Sequence, residues 1–484
     1  MAQNQFNDFP WMPFEEPSHE PQDHKRKEKK VSVPVLCSIL CIAVALTVLL
    51  TYTMTAAAKR AEYSKKLQDQ QTTIQSMQAL LDQMSESSGL EKLELISMIF
   101  ENYSYYAEQM DSEEMLDAVL KAYAAASGDD YAEYYTEEEY AALTADNVGN
   151  YVGVGISVVQ TTLVVEGYEY QTFQVIAVYE NAPAAAKDLR VGDHIYGVKK
   201  DGSYLTVAAL GGYTAGLNAI RGEAGTDVEF VAFRKTENSY ESKEFCITRA
   251  PFVSHSVSYT RADDDPTVGI VSIMQFDMTT PTQLKEAVNA LLDDGVESFV
   301  FDVRNNPGGD LQSIKAVLTY FLEEGDVILS AVDRDGKIAR SYYAEAMTLS
   351  GDYASCSVTR SEIGMYKDLD MVVLCNENTA SAAEVFTATM RDYGKAEIVG
   401  TTTFGKGIMQ TFLSLSSISY GNFDGYIKLT TYAYVTQCGI PYQDIGITPD
   451  VVEELSAEAQ QYNIYLIPQA ADNQLQAAIA ALKN

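Results

Sequence analysis

The sequence predicts an α/β fold, α+β over the whole chain, in which a mainly parallel sheet follows a smaller β-rich region and an apolar N-terminal segment. Three observations carry this. From residue 251 onward, short apolar runs alternate with helix-length segments, the pattern of βαβ units. Between residues 148 and 250 the apolar period is two, as in short strands joined by turns. Residues 31–58 carry no charge at all. The parts in order are a tail (1–30), an anchor (31–58), a stalk and helical region (59–147), the β-rich region (148–250), the α/β body (251–456) and a C-terminal helical segment (457–484).

Residues 1–30 are polar and proline-bearing and end in the basic cluster HKRKEKK, which reads as a disordered tail. Val33 to Met54 is apolar and long enough to span a bilayer at about 1.5 Å per residue. The basic cluster before it should stay cytoplasmic, which puts everything after Lys59 outside. The competing reading is a cleaved signal peptide, since Ala56-Ala57-Ala58 satisfies its cleavage pattern. The long leader and long apolar run favour a single-pass anchor. Leu67, Ile74, Met77, Leu80, Leu81 and Met84 recur at helical spacing, so residues 59–90 read as a stalk helix able to pair with a second copy in a homodimer. Residues 91–145 continue as helix, and the tyrosines of DDYAEYYTEEEY read as partly buried packing.

YVGVGISVVQ, FQVIAVY, IYGVKK, VEFVAFRK and EFCITRA are strands of the β-rich region, with a helix-like stretch at TAGLNAIRG. GVGIS lacks the third glycine of a dinucleotide fingerprint and continues as a strand. In the body, GIVSIMQF is a strand, Pro281 to Leu292 a helix, SFVFDV a buried strand, RNNPGG a turn and Leu311 to Leu322 a helix. VILSAVDR and YIKLTTYAYVT are further strands, and Gln474 to Leu482 is a closing helix.

Composition excludes several functions. The formal net charge is −34, and beyond residue 60 there are 27 bases against 62 acids, a surface that repels nucleic acid. The six cysteines show no CxxC pair and the four histidines no cluster, so no metal site is expected. Spacing does not decide whether any cysteines are bridged.

The chemistry concentrates in Met371 to Gln410. Met371 to Cys375 is a short buried strand, Ala382 to Met390 a helix stopped near Gly394, Ala396 to Gly400 a second strand, and Thr401 to Gly407 a glycine-bearing loop. Ser381 therefore stands at a helix N-terminus, where backbone N–H groups favour a developing anion. Lys406 lies between two glycines, where an ammonium could be desolvated and act as base to a serine. Gln410, four residues on, could orient the lysine amine. The glycines of RNNPGG offer backbone donors for an oxyanion. Each feature has a plainer explanation: Ser381 as a helix cap, Lys406 as a solvated cation, Gln410 as a strand residue facing water, RNNPGG as a turn, and Asp302 as a strand end-cap. GTTTFGK approaches a phosphate loop, but Gly407 stands where Ser or Thr should bind magnesium and a strand follows.

NENTASAAEVF followed by DYGKAEIVGTTTFGKGIMQ resembles the signature of the C-terminal processing peptidases, the tail-specific proteases. The likeness implies that Ser381 is the nucleophile, Lys406, twenty-five positions on, the base, and Gln410 the residue that positions the lysine. Backbone amides of Gly308 and Ala382 are implied as the oxyanion hole. DDYAEYYTEEEYAAL resembles the helical region before the family's PDZ domain. YVGVGISV with APAAAKDLRVGDHIYGV resembles that domain, which implies that the loop Tyr151, Val152, Gly153, Val154, Gly155 and Ile156 takes a C-terminal tail. DVRNNPGGDL and GITPDVVEEL are similar to further family motifs. Thr379 and Ala383 replace serines flanking the nucleophile, and Asp310 interrupts the usual P-G-G-hydrophobic run. Arg190 and His194 sit in the PDZ-like stretch as packing or surface residues. The resemblance implies a membrane-anchored serine endopeptidase acting without metal or cofactor on unstructured tails of extracytoplasmic proteins. The alternative is a catalytically silent scaffold that binds C-termini.

Overall fold

The computed structural model describes residues 89–147, 150–253 and 255–483, with a few isolated positions before them. The predicted tail, membrane span and stalk lie almost wholly outside the described residues. Among the described residues no helix is long and apolar enough to cross a membrane. The chain divides into two units, residues 1–110 and 111–484. Of the first, the described part is helix α1 (Gly89–Tyr103) and a short 3₁₀ turn after it. On α1, Ile96, Ile99 and Phe100 are exposed.

The second unit begins with α2 (Ser112–Ala125), whose cap Asp111 accepts the N–H groups of Glu113 and Glu114. The expectation of continuous helix through residue 145 fails at β1 (Glu133–Tyr135), before α3 (Glu137–Asn147). β1 pairs antiparallel with β18 (Tyr426–Val435), nearly 300 residues away. Glu133 meets Lys428 across the strands at 2.8 Å, and Tyr134 is buried. Tyr140 stacks on Tyr426 with ring centroids 3.6 Å apart. Cross-strand pairing and aromatic burial outweigh the local helix preference of this acidic stretch. α3 restarts where Thr136 and Glu139 exchange side chain-to-backbone hydrogen bonds.

β2 (Asn150–Gly153) pairs with β9 (Ala250–Val253). Between them an antiparallel sheet runs β3 (Ile156–Val165), β4 (Tyr168–Val178), β5 (His194–Lys200), β7 (Asp227–Lys235), β8 (Tyr240–Thr248), with β6 (Ser203–Thr206) on β5. Helix α4 (Tyr213–Ile220) packs on it. Phe173, Val175, Ile195, Phe230 and Ile247 fill its own core. His194 is buried inside this sheet beside Thr172, and Arg190 pairs with Asp188 at the surface.

The body is a six-stranded sheet in the order β10 (Val257–Arg261), β11 (Val268–Ile273), β12 (Ser298–Asp302), β15 (Asp370–Cys375), β16 (Ala396–Gly400), β19 (Val451–Val452). Only the β10–β11 pairing is antiparallel. Strand alternation sorts its side chains. Phe299, Phe301, Met371, Val373 and Cys375 face one core, with α5 (Thr280–Asp293), α6 (Leu311–Thr319) and α7 (Ala382–Asp392). Val300, Val372 and Leu374 face the other, closed by α8 (Asn473–Ala481) through Leu475, Ala478 and Ile479. Burial on both faces is why these strands read as continuous apolar runs. VILSAVDR and YIKLTTYAYVT leave this sheet. They form a second, antiparallel one from β13 (Val327–Val332), β14 (Ile338–Tyr343), β17 (Ile408–Ser414), β18 and β1.

The C-terminal segment is tied in by charge. Arg304, after β12, donates to Asp302 at 2.7 Å and to Asp472 at 2.7 and 3.0 Å, all in a buried setting. Removing one partner of a buried ion network strands the others. Arg304→Ala should therefore destabilise the body by about 3–5 kcal/mol, read as a lower urea midpoint of the full chain.

Candidate active site

The site lies beyond the carboxyl ends of neighbouring parallel strands, where open α/β sheets present their loops. Three loops meet there. β12 runs into Arg304–Asp310, β15 into Asn376–Ser381, and β16 into Thr401–Gly407.

The first two loops are sewn together. Asn376 Oδ1 accepts the Asn305 N–H at 2.9 Å, and its amide donates to Asn305 Oδ1 at 2.7 Å. Ala380 N–H donates to Asn306 O at 2.9 Å, and Thr379 Oγ1 donates to Val303 O. Asn305 sits at φ 55°, a left-handed conformation that Asn tolerates. Thr379, which departs from the family serine, is thus a buried structural hydroxyl.

Ser381 is the residue before α7, at φ 56° and ψ −118°. For a non-glycine residue this is a strained backbone held by its surroundings. Its N–H donates to Glu384 at 2.9 Å. Glu384, fully buried on the first turn of α7, also accepts Thr403 Oγ1 at 2.6 Å, Gly405 N–H at 2.7 Å and Lys406 N–H at 2.8 Å. One carboxylate therefore fixes the backbone of the serine and of the lysine loop together. The S-x-x-E spacing at a helix start was the available signal for it.

Ser381, Lys406, Gln410 and Ala382 line one cavity of 610 Å3, together with Gly309, Asp310, Leu311, Ile314, Leu329, Tyr342, Val385 and Met409. Its walls mix these apolar side chains with the polar Asp310, Gln410, Thr411 and Lys428. Burial pushes the Lys406 ammonium below its usual value, and the like charge of Lys428 adds to this; Glu384 opposes both. The amine, however, makes no hydrogen bond to Ser381 Oγ among the described residues. Its Nζ lies 4.4 Å from the centroid of the Tyr131 ring. Gln410 Nε2 donates to Thr430 Oγ1 at 3.2 Å instead of to the lysine, and the β17–β18 register shifts between Met409 and Gln410. The Tyr434 hydroxyl stands beside the Ser381 side chain and donates to Lys406 O at 2.7 Å.

The oxyanion expectation needs one change. Gly308 N–H is already donated to Asn306 Oδ1 at 2.8 Å. Gly309 N–H and Ala382 N–H carry no internal acceptor among the described residues, and both residues line the cavity. Gly308 serves by being small: a Cβ there, at φ +103°, would lie 2.7 Å from Ser381 Cβ and 2.9 Å from Ala382 N. Gly309, at φ +145°, would drive a Cβ to 2.0 Å from Phe276 O. Asp310, the other departure from the family run, caps α6 by accepting from Gln312 and Ser313. Burial and Asp277 raise its carboxyl pKa.

A second cleft, of 370 Å3, lies along β3. Val152, Gly153, Val154, Gly155 and Ile156 line it with Val158, Leu217 and Ile220. Tyr151 belongs to β2 and pairs with Phe252. Among the described residues no group of His, Cys, Asp and Glu is placed to hold a metal.

Residues 267–453 match the family model of peptidase family S41. The chain is 29% identical over 367 residues to a probable CtpA-like serine protease of Staphylococcus aureus (strain COL), covering 76% of this chain and 65% of that protein. It is 28% identical over 367 residues to one from Staphylococcus haemolyticus (strain JCSC1435), at the same coverage. The chain thus spans about 65% of the length of the curated relatives it matches. Among solved structures, a photosystem II D1 C-terminal processing protease aligns with 78% of this chain and 94% of its own, at 24% identity and a TM-score of 0.43. Residues 267–453 are thus similar to peptidase family S41, and 76% of the chain is similar to proteins described as probable CtpA-like serine proteases.

Proposed function

We propose that the chain is a serine endopeptidase in which Ser381 is the nucleophile, Lys406 its base and Gln410 the residue that orients the lysine. The observation that carries this is the shared Glu384 carboxylate, which locks the backbones of Ser381 and Lys406 beside one cavity. Neutral Lys406 takes the Ser381 proton as Oγ attacks a peptide carbonyl. The N–H groups of Ala382 and Gly309 hold the oxyanion. Lys406 returns the proton to the leaving amine as the C–N bond breaks. Water, deprotonated in turn by Lys406, hydrolyses the acyl-enzyme and frees Ser381.

The antiparallel sheet with α4 is proposed as a PDZ module. β3 is an edge strand, so an extended tail can add to it, with its side chains in the apolar cleft between β3 and α4. Its carboxylate would meet the turn Val154–Gly155 that joins β2 to β3. Substrates on this reading are proteins with unstructured C-terminal tails. The basic cluster ahead of the uncharged run 31–58 supports a membrane anchor with the body outside the cytoplasm. The alternative, a silent tail-binding scaffold, predicts binding with no cleavage.

Turnover of a disordered reporter tail by the full chain tests the mechanism. Ser381→Ala and Lys406→Ala should each lower kcat/KM by about a thousand-fold or more, and equal cleavage by all three proteins would sink it. Glu384→Gln replaces an acceptor-only group by one that meets some of its four donors with N–H. It should cost about 2–4 kcal/mol of stability and lower kcat/KM about 10- to 100-fold, checked by denaturation and steady-state kinetics. Because the base works unprotonated, kcat/KM should rise with pH through the Lys406 pKa. Lys428 lowers that pKa, so Lys428→Gln should move the rising limb to higher pH; a limb that stays or moves down would contradict the assignment.

A further inference from the structure

A short turn ahead of the α/β body reaches two of the three proposed catalytic side chains. Tyr131 presents its ring face to Lys406 Nζ at 4.4 Å and lines the same cavity as Ser381. Two residues earlier, Asp129 accepts Thr430 N–H at 2.7 Å, Thr430 Oγ1–H at 3.0 Å and Tyr131 N–H at 3.0 Å. The lone pair left on Thr430 Oγ1 takes the Gln410 amide at 3.2 Å. The turn so holds the lysine directly and the glutamine at one remove. It is itself fixed, because β1 begins two residues later and is hydrogen-bonded to β18, the strand that carries Thr430.

We infer that the turn Asp129–Tyr131 is the positioning element of this site: it seats Lys406 and Gln410 on separate partners in the resting protein, and Lys406 must leave the Tyr131 ring to reach Ser381. The inference rests on the Ser381–Lys406 reading given above. Its physical basis is that an aromatic face attracts an ammonium and has little hold on a neutral amine. The ring therefore favours the protonated lysine, against burial and Lys428, which favour the neutral one. The other charged groups around the pair are accounted for. Lys428 of β18 is bound to Glu133 and the Tyr135 hydroxyl, Glu384 of α7 faces the loop, and Asp129, Asp130 and Asp444 lie about Tyr131. A side chain whose resting contact stabilises its inactive charge state is a latch as well as a base.

The test uses the full chain, with pH–rate profiles for the reporter tail and, without any tail, for labelling of Ser381 by a fluorophosphonate. Tyr131→Leu keeps apolar bulk over the lysine and removes the ring face. It should move the rising limb down by about one pH unit, giving roughly tenfold faster labelling below the limb. Tyr131→Phe keeps the face and should restore the wild-type limb. Asp129→Ala, which frees the turn from Thr430, should shift the limb in the same direction as Tyr131→Leu. A limb that stays in place or moves up in both Tyr131→Leu and Asp129→Ala overturns the inference. Ser381→Ala separates the two failures: if it still cleaves, the nucleophile assignment falls. If it is silent while the limb does not move down, only the role of the turn falls.

Discussion

The Glu384 carboxylate is the contact on which the site depends. A buried carboxylate is costly unless its lone pairs are filled, and here four donors from two loops fill them. Two of those donors belong to the backbones of Ser381 and Lys406. The arrangement also accounts for the Ser381 backbone, whose φ of 56° and ψ of −118° would relax in a free loop. With its N–H pinned to the first turn of the helix it introduces, Ser381 keeps its side chain over the cavity and leaves the Ala382 N–H open.

The parallel sheet supplies the coarse placement that Glu384 then refines. β12, β15 and β16 are consecutive neighbours in register, so the loops at their carboxyl ends emerge side by side. The Asn305–Asn376 exchange closes the gap between two of them. The glycines of RNNPGG then matter for different reasons. Gly308 allows the turn to pass against Ser381 and Ala382, while Gly309 allows it to cross Phe276 and exposes an unspent amide. Arg304 fastens the same turn to the C-terminal helix segment through Asp472.

Elements buried on both faces of the parallel sheet were legible, since burial there demands short apolar runs between helix-length segments. Ser381 at a helix start and the loop holding Lys406 followed from the same periodicity, aided by the family resemblance. Much of what escaped depends on partners distant in sequence. Glu133–Tyr135 reads as helix locally and becomes strand only because β18 lies against it. β13 and β18 carry strand signals that do not say which sheet they join. Which glycine amide stays free depends on the Asn306 side chain turning back on its own loop. Tyr131 is one of 32 tyrosines, and nothing in its neighbours singles it out.

On the proposed reading, the backbone of the site is assembled while the side chains of Lys406 and Gln410 rest on other partners. Ser381, Ala382 and Gly309 are held by buried hydrogen bonds and core contacts, so moving them would mean breaking the fold locally. Lys406 and Gln410 are held by a ring face and a single hydroxyl, contacts worth about 1–2 kcal/mol each. On the proposed reading, a substrate entering the cavity would offset that much with a few buried side-chain groups. On that reading the division of strengths puts the rigid groups where a transition state would need fixed donors. On the proposed dyad it leaves Lys406 movable by a substrate, and a base made competent only on occupancy would limit idle attack by Ser381, held in a strained backbone.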